Sequence, residues 1–277
     1  MFDRRTFRGL TVTNRICLVC GMVFQFPYQP EAELQQFYAA EYRKLYQGDE
    51  GPSAGDLAVQ QARAEALLHF VEPEIKTLTR HLDIGCSSGA LLKRFKAAYG
   101  CQPAGVEPGD AYRDYARAHQ LRVYATLEEL RAAGSERFDL ISMAHVLEHI
   151  PAPVEYLASL RQNFLDGNAY LLLEVPNLYI HDSFEVAHLA SFSPHTLKET
   201  VKKAGFSVLA IQVHGRPRSR VLPLYITLLA RPLQAPPAGK IRPERFVPLK
   251  RRLGMGYRVT VSRLLPGLAW LPVAGKA

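Results

Sequence analysis

The chain has few of the residues that stabilise secreted or membrane-embedded proteins. Its 277 residues include four cysteines and one tryptophan. Four cysteines in a chain of this length cannot form the dense disulfide framework of a small secreted domain, so a reducing, cytoplasmic compartment is favoured. No apolar run approaches the roughly 20 residues of a membrane-spanning helix, and the mixed, polar start is unlike a signal peptide.

The C-terminal segment has almost no acidic residues. Residues 1–239 hold 25 Lys/Arg and 25 Asp/Glu, whereas residues 240–277 hold nine basic residues and one acid, Glu244. The whole net charge of +8 therefore lies in this segment. Such a segment favours contact with a phosphate group or an anionic membrane surface, and a solvated extension is the alternative. Nucleic acid is allowed but not favoured, because few aromatic residues interleave the basic ones.

Three regions are indicated by composition and pattern. Residues 1–55 read as a short β-rich piece, a helix over 31–47 and a linker, and residues 232–277 as a basic, proline-containing extension. Residues 56–231 alternate strands with helices, which predicts an α/β fold with a Rossmann-like doubly wound sheet and helices on both faces. The last two predicted strands, 206–213 and 221–230, form a hairpin, so one strand of the mostly parallel sheet should be antiparallel.

The most informative motif is a glycine-containing turn between a strand and a helix. Gly85 and Gly89 allow a ligand to approach the backbone closely, and the start of the helix offers free N–H groups to a carboxylate. Glu107 ends the next strand, where an acid can accept both hydroxyls of a ribose. A nicotinamide cofactor is disfavoured, because Ser87 and Ala90 occupy the second and third glycine positions of its usual turn.

Four segments together resemble the class I S-adenosylmethionine methyltransferases over about residues 56–230. These segments are 82–89, 106–108, 138–149 and 172–177. The resemblance implies that Glu107 binds the ribose of S-adenosylmethionine, that residues 83–89 hold its methionine part, that 124–126 lie by the adenine and that 143–145 cover the sulfonium. The cofactor-binding residues so implied are Asp83, Gly85, Cys86, Ser87, Gly89, Glu107, Pro108, Thr126, Met143, Ala144 and His145.

Three histidines are candidates for proton transfer, since the imidazole pKa lies near neutrality. His145 and His149 flank the end of the fourth strand, where parallel sheets place active sites. The alternative for both is a role in shaping the loop. His188 matches the proposed base in the Glu-His-x-x-x-Phe-Ser segment of the resembled sugar C-methyltransferases, although Ala187 replaces the glutamate.

Further positions are weaker candidates. The loop after the fifth strand should face the acceptor with four polar side chains, namely Asn177, Tyr179, His181 and Asp182. Gln61 and Arg63 precede the first strand, and a stripe of Tyr38, Tyr42 and Tyr46 could cover the cofactor. Cys17 and Cys20 have zinc-knuckle spacing, but a structural zinc site wants four ligands, so no metal is predicted. An intermolecular zinc site, or histidine ligands from elsewhere, is the alternative.

The sequence therefore predicts a cytoplasmic methyltransferase that uses S-adenosylmethionine and acts on O or C of a small-molecule or glycan-type acceptor, with His188 as base and His145 assisting. One alternative is a nucleic-acid methyltransferase that uses the basic tail, although the Asn/Asp-Pro-Pro-Tyr segment of amino-group DNA methylators is absent. Another is a binding protein that keeps the fold and has lost catalysis.

Overall fold

A computed structural model describes residues 1–7, 10–27, 51–134, 136–182, 184–234 and 239–272. The predicted helix over 31–47, with its three tyrosines, lies outside the described residues. The strands are β1 (Asp3–Phe7), β2 (Leu10–Ile16), β3 (Val23–Gln25), β4 (Arg80–Ile84), β5 (Gln102–Val106), β6 (Arg122–Tyr124), β7 (Phe138–Ala144), β8 (Leu165–Pro176), β9 (Ala190–Ser191), β10 (Phe206–His214) and β11 (Tyr225–Pro232). The helices are α1 (Ala54–Val71), α2 (Ala90–Tyr99), α3 (Asp110–Ala118), α4 (Leu127–Ala133), α5 (Pro153–Asn163), α6 (Pro194–Lys203), α7 (Val247–Leu264) and α8 (Pro266–Ala269).

The main sheet has seven strands in the order β10-β11-β8-β7-β4-β5-β6. β4 to β8 are parallel to one another, whereas β11 is antiparallel to both β8 and β10. The prediction of a mostly parallel sheet with one antiparallel strand is confirmed. β11 begins at Tyr225 rather than at 221, because the Ser219 hydroxyl accepts from the backbone N–H groups of Val221 and Leu222 and closes a turn there.

Side chains of the main sheet alternate between two apolar layers, as the period of two along a strand requires. Leu171 and Leu173 of β8 join the layer that includes Leu157 and Leu160 of α5. Leu172, between them, joins the opposite layer, which contains Leu67, Leu68 and Phe95 from α1 and α2. Helices therefore cover both faces, and the carboxyl ends of the parallel strands meet at one open edge of the sheet.

A second sheet, of order β1-β2-β3-β9, joins the N-terminal strands to the chain that precedes α6. Phe24 pairs with Ala190 in antiparallel register. The backbone N–H of Gln25 donates to the Leu189 carbonyl at 2.9 Å, and its side chain donates to the Glu185 carbonyl at 3.1 Å. The N-terminal strands thus hold the segment that carries His188.

The C-terminal extension contains an 18-residue helix, α7, that the sequence analysis did not predict. Glu244 fixes the segment that leads into α7. Its backbone N–H donates to the Cys20 carbonyl at 3.0 Å, and its carboxylate accepts from Tyr179 and Lys250. Arg251 then anchors the helix by donating to the Leu178 and His181 carbonyls. Over the described residues, no helix combines the length and apolarity needed to cross a membrane.

Two glycines of α7 provide a matched test of this packing. A Cβ at Gly254 would overlap the Tyr179 carbonyl oxygen, whereas a Cβ at Gly256 would meet nothing within 4 Å. Gly256→Ala should stabilise the protein by roughly 0.5–1 kcal/mol through helix propensity. Gly254→Ala should destabilise it by roughly 1–3 kcal/mol, because the backbone at Tyr179 or in α7 must shift to make room for the added methyl group. Urea unfolding measures both, and stabilisation by Gly254→Ala would refute the packing of α7 on the Tyr179 loop.

Candidate functional site

The turn after β4 has a backbone that favours glycine at two positions. Gly85 has φ +72° and Gly89 has φ +76°. A Cβ at Gly85 would lie 2.5 Å from a methyl carbon of Val146, and one at Gly89 would overlap Leu121. Ser87 also has a positive φ, of 49°, between them. The turn therefore needs its glycines both for conformation and for close packing, and it leads directly into α2.

Glu107 lies beside this turn and is fixed by two backbone donors. It is 5% exposed, its Oε2 accepts from the Ser87 N–H at 2.9 Å, and its Oε1 accepts from the Gly109 N–H at 2.9 Å. Charge-assisted bonds of this kind fix the orientation of a carboxylate. The acid is thus held rigidly at the end of β5, in the place where a ribose would be recognised.

Gln60 of α1 is hydrogen-bonded to the same turn. Its amide nitrogen donates to the Ser87 hydroxyl at 3.0 Å, and its amide oxygen accepts from the Ser88 N–H at 3.2 Å and from the Ser88 hydroxyl at 2.5 Å. Gln61, the candidate predicted from the sequence, is exposed on another face of the helix. Gln60 lies three residues before Arg63, so the two side chains share a face of α1. This spacing could have identified Gln60 from the sequence.

Beneath the turn, a buried chain of hydrogen bonds links β4 and β7. The Ser142 hydroxyl donates to Asp83 at 2.6 Å, so His81 Nε2, which lies 2.7 Å from the same oxygen, must be the donor to it. Burial raises the pKa of Asp83 to about 7 and lowers the pKa of His81 to about 3.

Glu174, at the end of β8, is the centre of a second buried network. Its side chain has no exposed surface, and its Oε1 lies 2.7 Å from Arg63 Nε. Its Oε2 accepts from the Thr227 hydroxyl at 3.1 Å, and that hydroxyl lies 2.6 Å from His214 Nε2. Although burial opposes ionisation, Arg63, His145 and His214 outweigh it and lower the pKa of Glu174.

His145 lies between two carboxylates. Its Nδ1 is 3.4 Å from Glu148, and its Nε2 is 3.4 Å from Glu174. Burial and Arg63 lower the pKa of His145, but the two carboxylates prevail and the pKa is raised. The ring also meets the Tyr225 ring edge-on at 5.1 Å. Because the two carboxylates favour the protonated form of the imidazole, this environment suits electrostatic stabilisation better than base catalysis.

Glu148, His149 and His188 form a third cluster beside it, and each has a potential ligand atom within 4.8 Å of the others. The His149 and His188 rings are 4.9 Å apart. His149 Nδ1 lies 2.8 Å from the Ala187 carbonyl, which can only accept, so Nδ1 carries a hydrogen and Nε2 is the basic nitrogen. Burial works against the charge of Glu148, but the three histidines hold its pKa at about 2. The cluster can accept a proton or hold a cation.

Several predicted residues have plainer surroundings. Met143 is packed in the core, and Cys86 is buried against Leu92 and Ala116. Thr126 caps α4, and Pro108 is exposed. Ala144 contacts the apolar layer under α1.

Most of the loop after β8 is engaged in structural contacts. The Asn177 amide donates to the Pro223 carbonyl at 2.8 Å, Tyr179 donates to Glu244, and Asp182 pairs with Arg5 at 2.9 Å. Of these four side chains, only His181 lies toward the Glu174 network and the Glu148 cluster, with its ring 5.8 Å from that of Tyr225. Burial and the charges of the nearby histidines lower the pKa of His181 to about 3.

The cysteine pair lies at a turn away from these networks. Cys17 and Cys20 are free thiols, as are Cys86 and Cys101. Within the described ranges, the one group of three potential metal ligands is the Glu148 cluster, and it does not include the pair. The absence of a metal at Cys17 and Cys20 stays a prediction.

A family model described as a methyltransferase domain matches residues 58–211, more than half of the chain. The chain belongs to the class I S-adenosylmethionine-dependent methyltransferases. The enzyme's cofactor is therefore S-adenosylmethionine, and the rigid Glu107 carboxylate beside a glycine turn and a helix start fits that molecule. Glu174, Glu148, Tyr225 and His214 were not recognised from the sequence.

The enzyme is similar to two curated proteins over part of their length. It is 34% identical over 87 residues to a ubiquinone biosynthesis O-methyltransferase of Hahella chejuensis, covering 29% of this chain and 36% of that protein. It is 28% identical over 160 residues to the ubiquinone biosynthesis O-methyltransferase of Roseobacter denitrificans, covering 54% of this chain and 64% of that protein. The chain thus spans less than two thirds of either relative.

A solved structure shows the same fold. The 1,6-didemethyltoxoflavin-N1-methyltransferase of Burkholderia thailandensis, with 1,6-didemethyltoxoflavin and S-adenosylhomocysteine bound, aligns with a TM-score of 0.56 at 19% identity. The match covers 80% of this chain and 99% of that one. At this identity the likeness concerns the fold alone.

The Glu174 network predicts a large effect of a small change. Glu174→Gln leaves Arg63 without its counter-charge in a buried setting, and should destabilise the protein by about 3 kcal/mol. Glu65→Gln breaks the surface pair with Arg94 instead, where Glu65 is 61% exposed, and should cost less than about 1 kcal/mol.

Urea unfolding of both variants across pH is the measurement. Because folding lowers the pKa of Glu174, its contribution is complete above the unfolded value of 4.5 and is lost as the pH falls below it. The difference between wild type and Glu174→Gln should therefore shrink in acid. Equal effects of the two variants at neutral pH would refute the network's role.

Proposed function

We propose that the enzyme transfers a methyl group from S-adenosylmethionine to O or C of a small-molecule or glycan-type acceptor, and that His188 accepts the acceptor's proton. The single observation that carries this is the His149–His188 pair beside the buried charge of Glu148. The two similar ubiquinone biosynthesis O-methyltransferases support a small-molecule acceptor.

The cofactor occupies the turn after β4. Glu107 receives the ribose hydroxyls, and Asp83 with residues 85–89 holds the methionine part, as the family resemblance implies. The support is the fixed carboxylate of Glu107 and the start of α2, which no side chain caps. Bound there, S-adenosylmethionine supplies an electrophilic methyl group, so the protein mainly has to orient the acceptor and remove its proton.

Proton removal runs from the acceptor to His188. A charged Glu148 next to both rings stabilises the imidazolium that forms. His149 is oriented by its bond to the Ala187 carbonyl and relays the proton through Nε2. His145, whose pKa is raised by Glu148 and Glu174, stabilises in its protonated form the negative charge that develops on the acceptor.

A cytoplasmic location is part of the proposal. It rests on the four free cysteines, which a reducing compartment keeps as thiols. The acceptor then belongs to intracellular metabolism or to the cytoplasmic stage of glycan assembly.

The cofactor assignment is tested by calorimetric titration with S-adenosylhomocysteine. Glu107→Gln removes the charge that strengthens the ribose bonds, so its affinity should fall about ten- to hundredfold. Glu128→Gln, at an exposed acid of α4, should bind as the wild type does, and NAD should bind to neither. Unchanged affinity in Glu107→Gln would contradict the assignment of Glu107.

The base assignment is tested with radiolabelled S-adenosylmethionine and a panel of phenols, sugars, nucleotide-sugars and nucleic acids. On the acceptor that is methylated, His188→Ala should lower kcat at least about a hundredfold, with affinity for S-adenosylhomocysteine unchanged. His119→Ala, at an exposed histidine of the same fold, is the control and should be fully active.

Three outcomes count against the proposal. Full activity of His188→Ala would remove its role as base. Loss of wild-type activity on chelation, restored by a divalent cation, would assign the Glu148 cluster to metal binding. Transfer to nucleic acid alone, or to no acceptor although S-adenosylhomocysteine binds, would favour one of the two alternatives raised by the sequence.

A further inference from the structure

The outward face of α7 carries a stripe of exposed apolar side chains. Leu249, Leu253, Tyr257 and Leu264 are 54%, 66%, 46% and 73% exposed. Their spacings of four, four and seven residues place them along one side of the helix. Large apolar side chains exposed in a row on a well-formed helix mark a contact surface rather than random exposure.

Positive charge borders this stripe on both sides. An α-helix turns by about 100° per residue. This places Arg252 and Arg263 on one side of the stripe and Lys250 on the other. The only acid among residues 239–272 is Glu244, whose side chain is 5% exposed and already bonded. The surface therefore combines apolar and cationic groups with no exposed negative charge.

A second element extends this surface. The turn between β2 and β3 exposes Leu18 (95%) and Val19 (72%) at its tip. Cys20, the next residue, accepts a hydrogen bond from Glu244 at 3.0 Å, and Phe246, two residues beyond Glu244, is 72% exposed. This backbone hydrogen bond joins the β2–β3 tip to the chain that enters α7, and both segments expose apolar side chains.

The opposite face of α7 is firmly attached to the body of the enzyme. Arg251 stacks on the Phe184 ring at 4.0 Å, and Arg258 donates to the Ile180 carbonyl at 3.0 Å. Gly254 lets the helix backbone touch Tyr179. The exposed stripe is therefore not the unsatisfied core face of a loose helix, because the inward face of α7 packs on the loop after β8.

We propose that the outward face of α7, with the β2–β3 tip, docks the enzyme on an anionic membrane surface. A helix with an apolar stripe between basic residues lies in the plane of the lipid headgroups, and anionic lipids attract its charges. A second copy of the chain fits less well, because two such faces would bring like charges together. Docking would present the site to an amphiphilic acceptor, which goes beyond the proposed chemistry.

The test is cosedimentation of the full chain with vesicles of phosphatidylcholine alone and of an equal mixture with phosphatidylglycerol. Wild type should bind the mixed vesicles and release them at high salt. Leu249→Glu with Leu253→Glu, and separately Arg252→Glu with Arg263→Glu, should each weaken binding at least about tenfold. The matched control is Leu209→Glu with Lys203→Glu, on β10 and α6, which should bind as wild type does.

Each variant is checked for its unfolding midpoint and its affinity for S-adenosylhomocysteine, both of which should match wild type, so a folding defect is separated from a docking defect. Failure of wild type to bind the mixed vesicles, or equal binding by all variants, would overturn the proposal. So would a stable dimer that the α7 variants dissociate. Cofactor binding and transfer to a water-soluble acceptor do not depend on docking, so either result leaves the proposed chemistry to its own tests.

Discussion

The structure depends on one carboxylate that has no contact with solvent. Glu174 ends β8 and must be compensated by neighbours, because an isolated charge in the interior is prohibitively costly. Arg63 from α1, His145 after β7 and Thr227 of β11 supply that compensation. One buried charge thereby fixes three elements around the carboxyl edge of the sheet, and together with Glu148 it raises the pKa of His145.

The two halves of the site are supported by different parts of the chain. The turn between β4 and α2 is built locally: Gly85, Ser87 and Glu107 are joined by hydrogen bonds within and between adjacent strand ends. The histidine side is distributed, since His149 is oriented by the Ala187 carbonyl and His188 follows a segment bonded to Gln25. This division explains how one fold keeps its cofactor chemistry while the acceptor side varies.

Features carried by local pattern could be predicted from the sequence. The strand–helix alternation, the glycine turn and Glu107 all follow from short-range rules of backbone conformation. The Arg63–Glu174 pair could not, because the two residues are 111 apart in sequence and only the fold makes them neighbours. α7 was missed for a similar reason: Gly254 and Gly256 are poor helix formers, and the face that stabilises the helix is apparent only against the Tyr179 loop.

The pairing of β3 with β9 has a consequence for how the enzyme is made. Phe24 leaves the ribosome early, yet its partner Ala190 is added only after roughly 10–30 s at ordinary rates of synthesis. Until then β1, β2 and β3 can pair only with one another, while β4 to β8 can already assemble. The segment that carries His188 is therefore ordered later than the glycine turn after β4 and the strand end that carries Glu107.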